Sequence, residues 1–188
     1  MTDALFVSDR GNGFSQAFEE MGFECHQVMP GALGSPFCMP CKLLIIPSGF
    51  ADSKYYKILK PVENNADKIR QFVEHGGILL VFGAILGDYK YDWLPMKLSY
   101  HMNFKEAEVK LVDQSDPAAS FIKAGKLYCD GYFTEHDGNV VMTNSEGFPV
   151  LVTKKVEDGF IVAVALHQLP SKQFLEWACP KGKKEYNI

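Results

Sequence analysis

Short strand-like segments in the first half of the chain alternate with segments whose apolar residues recur at helical spacing. We predict four β-strands in this half, at 4–7, 23–28, 43–46 and 78–82. The apolar residues of 14–21 and 62–72 fall three and four positions apart and predict amphipathic helices, each stopped by glycine. Because continuous apolar strands separated by helices are buried on both faces, this half is expected to form a parallel sheet covered on both sides.

The second half carries closely spaced strand patterns with few helical signals between them. The predicted strands are 107–112, 126–133, 140–143, 150–154 and 160–166. The tight turn 157–159 predicts that the last two strands pair as an antiparallel hairpin. Ser171 is expected to cap a final helix that runs through Trp177. With 188 residues and no repeat or linker, residues 1–188 are expected to form one domain.

The composition is ordinary for a globular protein and argues against several partners. Hydrophobic residues make up 47% of the chain and the net charge is −4, so there is no electrostatic case for binding nucleic acid or an anionic membrane. No apolar run approaches the roughly 20 residues needed to cross a bilayer, and the N-terminus lacks a signal pattern. We therefore expect a cytoplasmic protein with no nucleic-acid or membrane partner.

The segment 83–87 has the pattern of a catalytic turn without its catalyst. Gly83 and Gly87 flank it directly after the buried strand 78–82, and this spacing predicts a sharp reversal from strand into helix. In many α/β enzymes such a turn holds a nucleophile in a strained, exposed position. The central residue here is Ile85, whose side chain can neither attack a carbonyl group nor carry a proton.

Three short motifs, taken in order, resemble the class I glutamine amidotransferase-like superfamily. They are the strand and Pro-Ser-Gly loop 44–49, the helix, double glycine and strand 72–80, and the closing hairpin that contains 148–152 and 161–167. Within the superfamily, the chain is most similar to trehalose-utilisation-type proteins and to the amidotransferase-like middle domain of some β-galactosidases. The resemblance implies a three-layer αβα sandwich with a mostly parallel, flavodoxin-like sheet and a C-terminal antiparallel hairpin. It also implies that His167 is the superfamily's histidine, and the relatives suggest a homodimer.

Two departures from the superfamily pattern remove the expected reaction. Ile85 stands where the amidotransferases have their nucleophilic cysteine, and Leu169 stands where a glutamate orients the histidine. A lone imidazole without a nucleophile or an orienting carboxylate cannot run acyl transfer by the triad route. We therefore expect no glutamine hydrolysis by that route.

The retained parts of the site leave two interpretations open. His167 is either a base or ligand-binding group at the mouth of the sheet, or a histidine that bonds to nearby backbone at a strand end. The backbone amides of Leu86 and Gly87, next to the loop at Ser48 and Gly49, either bind an anion or carbonyl oxygen, or are kept only because the turn requires its glycines. The candidate ligand-binding residues are Ser48, Gly49, Gly83, Leu86 and Gly87.

The five cysteines include one local pair with metal or redox potential. An odd number of cysteines without a secretion signal argues against a disulfide framework. Cys38 and Cys41 are spaced to share a metal or close a small disulfide, and Cys25 with His26 suggests a zinc site. Neighbouring strand residues point to opposite faces, which argues against both reaching one metal. Plain loop thiols, expected at the amino ends of the strands, are the alternative.

Two further segments contain candidate chemistry. Cys129, beside Asp130 and close to Glu135 and His136, is a candidate relocated nucleophile, with a buried structural thiol as the alternative. The aromatic segment 88–93 is expected to overhang the pocket, where its rings would stack on a sugar or base or be buried in a subunit contact.

Three functions compete on these grounds. The favoured one is a domain that lacks the cysteine nucleophile and binds a small molecule or another subunit without catalysis and without a cofactor. The second is a hydrolase or isomerase of a carbohydrate-like substrate that uses His167 with acidic help. The third is a zinc or redox protein built on Cys38 and Cys41.

Overall fold

The computed structural model describes residues 2–11 and 13–188. Over these residues the chain forms ten β-strands and four α-helices. The strands are β1 (Ala4–Val7), β2 (Cys25–Val28), β3 (Leu43–Ile46), β4 (Ile78–Phe82), β5 (Asp88–Lys90), β6 (Leu98–Leu111), β7 (Gly125–His136), β8 (Asn139–Thr143), β9 (Pro149–Val156) and β10 (Gly159–Val164). The helices are α1 (Ser15–Met21), α2 (Leu59–Asn64), α3 (Ala66–Glu74) and α4 (Lys172–Ala178).

One sheet contains all ten strands, in the order β2-β1-β3-β4-β10-β9-β8-β6-β5, with β7 paired to β6. The strands from β2 to β10 in this order are parallel, and those from β10 to β5 pair antiparallel. The parallel sheet and the hairpin of β9 and β10 are therefore confirmed. The order of the five parallel strands is that of flavodoxin-like sheets.

Two helical layers cover the parallel strands. Ile69 and Phe72 of α3 belong to the apolar core on one face, and Phe18 of α1 and Phe174 of α4 belong to the core on the other. All four side chains are fully buried. Burial of each contributes roughly 1.5–3 kcal/mol, which makes these faces the main attachment of helices to sheet. The three-layer prediction is confirmed.

The helix predicted over 62–72 is divided at Asn65. The structure ends α2 before this residue and starts α3 after it, and the Asn65 backbone leaves helical geometry. The Asn65 side-chain amide donates a hydrogen bond to the carbonyl of Pro61 at 2.9 Å. Short polar side chains that bond to nearby backbone compete with helix continuation, which accounts for the break.

The turn at 83–87 leads into a strand rather than the predicted helix. The chain enters β5, which pairs antiparallel with β6, and the Gly87 carbonyl accepts a hydrogen bond from the Met102 amide at 2.8 Å. The strand β6 also begins at Leu98, well before the predicted 107–112. The first residues of β6 provide the hydrogen-bonding partner with which the segment after the turn forms β5.

The described ranges contain no helix with the length and apolar character required to cross a bilayer.

Candidate functional site

A cleft of about 440 Å³ opens at the carboxyl ends of the parallel strands. Its walls come from the ends of β1 and β4, the loop after β3 and the segment after β10. Ser48 and His167, both predicted site residues, line it together with Phe82. Ligands of open α/β sheets bind at this edge, so the fold brings these two residues to the expected place.

The segment after β10, which contains His167, is held at the cleft by backbone contacts with β7. Its backbone amide donates to the Tyr128 carbonyl of β7 at 3.0 Å, and an isolated bridge joins Leu166 to Cys129. The exposed imidazole ring lies 6.2 Å from the ring of Phe104, centroid to centroid. The long β6–β7 arm therefore packs against the end of β10, and β7 becomes part of the site.

Asp130 of β7 is the functional candidate that this contact reveals. The residue is only 1% exposed, and each carboxylate oxygen meets a hydroxyl group. Ser48 Oγ donates to Oδ2 at 2.9 Å, and the Tyr100 hydroxyl lies 3.2 Å from Oδ1 and 2.8 Å from the Asp130 carbonyl oxygen. Sequence analysis named Asp130 only as a neighbour of Cys129.

Two irregularities of the backbone make room for this carboxylate. The β6–β7 register shifts between Met102 and Lys105, where two β6 residues oppose Asp130 alone. Such bulges commonly redirect a side chain beside a functional site. At Gly83, a β-carbon would lie 2.3 Å from Asp130 Oδ1. The first glycine of the turn is therefore needed for the close approach of Asp130.

Burial and hydrogen bonding act in opposite directions on the Asp130 carboxyl group. Burial raises the pKa of Asp130, while the bonds from Ser48 and Tyr100 and the nearby charge of His167 lower it, with burial dominant. Burial and the Asp130 charge raise the pKa of Tyr100 far above its usual value. Tyr100 therefore keeps its proton and remains a hydrogen-bond donor.

The turn at 83–87 has strained geometry at Ile85, the position where the superfamily resemblance predicts a nucleophile. Ile85 has φ +48°, a left-handed conformation that a β-branched side chain rarely adopts. The Gly49 amide donates to the Gly83 carbonyl at 2.9 Å, so that amide is committed within the protein. Leu86 is 40% exposed, and the Gly87 carbonyl is bonded to β6. The turn is thus anchored on both sides.

The predicted cysteine site lies at the other end of the sheet. Cys41 pairs with Tyr186 just before β3 starts, and burial raises the pKa of both Cys38 and Cys41. Cys25 belongs to the core on the opposite face of the sheet. Within 2–11 and 13–188, no three His, Cys, Asp or Glu side chains are grouped to hold a metal ion. Raised pKa values disfavour the thiolate form that metals and disulfide exchange require.

The remaining candidates are mostly buried. Cys129 is 1% exposed, and burial together with the charge of Asp130 raises the pKa of its thiol to about 11, which suits a structural role. Tyr91 and Trp93 pack against Phe50 in the core. The expectation that these two rings overhang the cleft is wrong, because both are buried in the apolar core.

Solved structures with this architecture come from several kinds of protein. PurLQS from Thermotoga maritima superposes with a TM-score of 0.61 at 17% identity, covering 94% of this chain and 97% of that chain. The cytoplasmic protein STM1381 from Salmonella typhimurium gives 0.60 at 13%, covering 94% and 95%. A β-galactosidase from Bacillus circulans gives 0.51 at 14%, covering 93% of this chain. The chain spans only 30% of that β-galactosidase.

At these identities the likeness shows a shared fold and nothing finer. No protein-family model matches the chain, and no curated protein matches it. The structural neighbours fit the amidotransferase-like α/β fold that the three sequence motifs indicate.

Proposed function

We propose that this chain is an amidotransferase-like domain that binds a small molecule in its cleft and has lost cysteine-dependent amide hydrolysis. The observation that carries the proposal is the cleft of about 440 Å³ lined by Ser48, His167 and Phe82, the last of which directly precedes the turn that contains Ile85. The cleft lies where ligands bind in α/β proteins, while the side chain of Ile85 stands in place of the expected cysteine thiol.

The cleft has the size and lining typical of small-molecule sites. Such pockets enclose about 300–1,000 Å³ and combine apolar walls with a few polar groups. Here Phe6, Phe14 and Phe82 contribute aromatic surface, and Ser48 and His167 contribute hydrogen-bonding groups. This combination favours a ligand with an apolar body and one or two polar substituents.

The finer assignment extends the same proposal. In this proposal the chain belongs to the branch of trehalose-utilisation-type proteins and β-galactosidase middle domains. It is a cytoplasmic homodimer, and contact with another subunit is a second role of the domain beside ligand binding. Support comes from the sequence motifs, from the β-galactosidase neighbours and from two neighbours described as cytoplasmic proteins.

A thermal-shift screen tests the binding proposal. A ligand that binds only the folded protein raises the melting temperature in proportion to ln(1 + [L]/Kd). Gly13 lines the cleft with nothing near its missing β-carbon, so Gly13→Trp should fill the space and abolish the shift. Ser53→Trp on the exposed surface is the matched control. Glutamine hydrolysis that survives Ile85→Ala and is lost in His167→Ala would overturn the proposal.

A second candidate is an acid–base enzyme, a hydrolase or isomerase of a carbohydrate-like substrate. The specific observation in its favour is the buried Asp130 carboxylate, close enough to His167 for their charges to interact. A histidine that lines a cleft and a buried carboxyl group behind the cleft wall can divide the acid and base roles. Turnover of p-nitrophenyl glycosides that disappears in both His167→Ala and Asp130→Asn would support this candidate, and absence of turnover would count against it.

A further inference from the structure

The Ser48 hydroxyl group is polarised in a way that binding alone does not require. A serine hydroxyl has one proton to donate and two lone pairs. The proton of Ser48 is directed to Asp130 Oδ2 at 2.9 Å, while the residue lines the cleft. Because a carboxylate holds that proton, the lone pairs of the Ser48 oxygen remain available, as in an activated nucleophile.

Asp130 has the properties of the base that such a nucleophile needs. The Tyr100 hydroxyl group bonds to Oδ1, which leaves Oδ2 to receive the proton of Ser48. Burial raises the pKa of Asp130, which increases the affinity of the carboxylate for a proton. The Gly83 backbone closes against the carboxylate and prevents it from moving away.

We propose that Ser48 is a nucleophile and Asp130 its general base, so that the cleft cleaves small esters by acyl transfer. The inference rests on the proposed small-molecule cleft. Ser48 Oγ forms a bond to the ester carbonyl carbon as its proton passes to Asp130 Oδ2. The bond from carbon to the alkoxy oxygen then breaks, and the departing alcohol takes the proton from Asp130. Water then attacks the acyl carbon as Asp130 takes one of its protons, the bond from that carbon to Ser48 Oγ breaks to release the acid, and Asp130 returns the proton to Ser48 Oγ.

Tyr100 acts in this scheme as a positioning residue. Its single hydroxyl proton is shared between the backbone carbonyl of Asp130 at 2.8 Å and Oδ1 at 3.2 Å, and this fixes the carboxylate against Gly83. Because the bond to Oδ1 lowers the pKa of Asp130, its removal should raise that pKa. The other titratable groups that act on Asp130 electrostatically are Tyr91, Cys129 and His167.

An alkyl phosphonofluoridate tests the proposal on the full chain. The probe forms a bond between phosphorus and an activated serine oxygen and releases fluoride, with the proton taken up by the base. We expect one label per chain, located at Ser48 by peptide mass, and none there in Ser48→Ala. Asp130→Asn should slow labelling about 100-fold or more, the usual contribution of a general base. Ser53→Ala removes an exposed serine of the same loop and should change nothing.

The pH profile of labelling gives a readout that a structural role would not move. The rate should rise as Asp130 ionises, and Tyr100→Phe should shift the midpoint to higher pH. A rate without this pH dependence contradicts the role of Asp130 in the wild-type protein, even if Asp130→Asn fails to fold.

A non-reactive phosphonate diester of the same shape separates the two proposals. If the diester raises the melting temperature in wild type but not in Gly13→Trp, and the fluoridate leaves Ser48 unlabelled, the nucleophile inference is wrong and the binding proposal stands. If Ser48 is labelled at equal rates in wild type and folded Asp130→Asn, the assignment of the base is wrong. If neither compound nor any library member binds, both proposals fail.

Discussion

Substitution Gly83→Ala tests whether the turn glycine is kept for Asp130. The added β-carbon would lie 2.3 Å from Asp130 Oδ1 and 2.8 Å from Oδ2, well inside contact distance. The carboxylate cannot retreat without losing its bonds to Ser48 and Tyr100. Overpacking costs about 1–3 kcal/mol, and a buried group separated from its partners costs about 1–3 kcal/mol more. We expect the free energy of unfolding to fall by roughly 2–6 kcal/mol.

Urea unfolding followed by tryptophan fluorescence measures the change. Gly87→Ala is the matched control, since no atom lies within 4 Å of a β-carbon there, and it should alter stability by less than about 1 kcal/mol. Adding Asp130→Ala to Gly83→Ala removes the clash, so the double variant should recover at least about 1 kcal/mol relative to additivity. Equal stabilities of Gly83→Ala and Gly87→Ala would refute the reasoning.

Three further predictions concern charge, strain and thiols. Burial raises the pKa of Asp130 in the folded protein above its value in the unfolded chain, which is about 3.9. The contribution of Asp130 to stability is therefore fully present below the unfolded pKa and is lost as the pH rises through the folded pKa. Asp130→Asn should therefore gain stability relative to wild type with rising pH in urea titrations, and a constant difference would contradict this. Ile85→Gly relieves a positive φ and should leave unfolding free energy unchanged or higher, whereas Leu86→Gly should lose about 1 kcal/mol. The five cysteines are all buried and should react with a thiol reagent only after unfolding; fast reaction of Cys38 in the native protein would contradict this.

The parallel half of the sheet could be predicted because its strands are apolar on both faces. At 43–46 and 78–82 no polar residue interrupts the run, and full burial in a sheet between helical layers is the structure that such runs favour. The cap of α4 by Ser171 followed from local chemistry, and the Ser171 side chain does accept a hydrogen bond from the Phe174 amide.

The essential part of the candidate site could not be predicted in the same way. Asp130 reaches Ser48 through a bulge in β6 and through contact of β7 with the segment after β10, and neither leaves a periodic signal. The strand β5 has three residues, too few for an alternating pattern. One local sign was present: Asp130 and Gly131 interrupt the apolar and aromatic run 127–133, and a carboxylate in such a run requires partners.

Amide chemical-shift mapping of the isotopically labelled protein against a small-molecule library tests the central claim most directly. The account predicts that a bound compound shifts the Ser48 and His167 amide signals and that Gly13→Trp abolishes these shifts while Ser53→Trp preserves them. Compounds that shift only signals far from the cleft, or that bind Gly13→Trp as tightly as wild type, would contradict it.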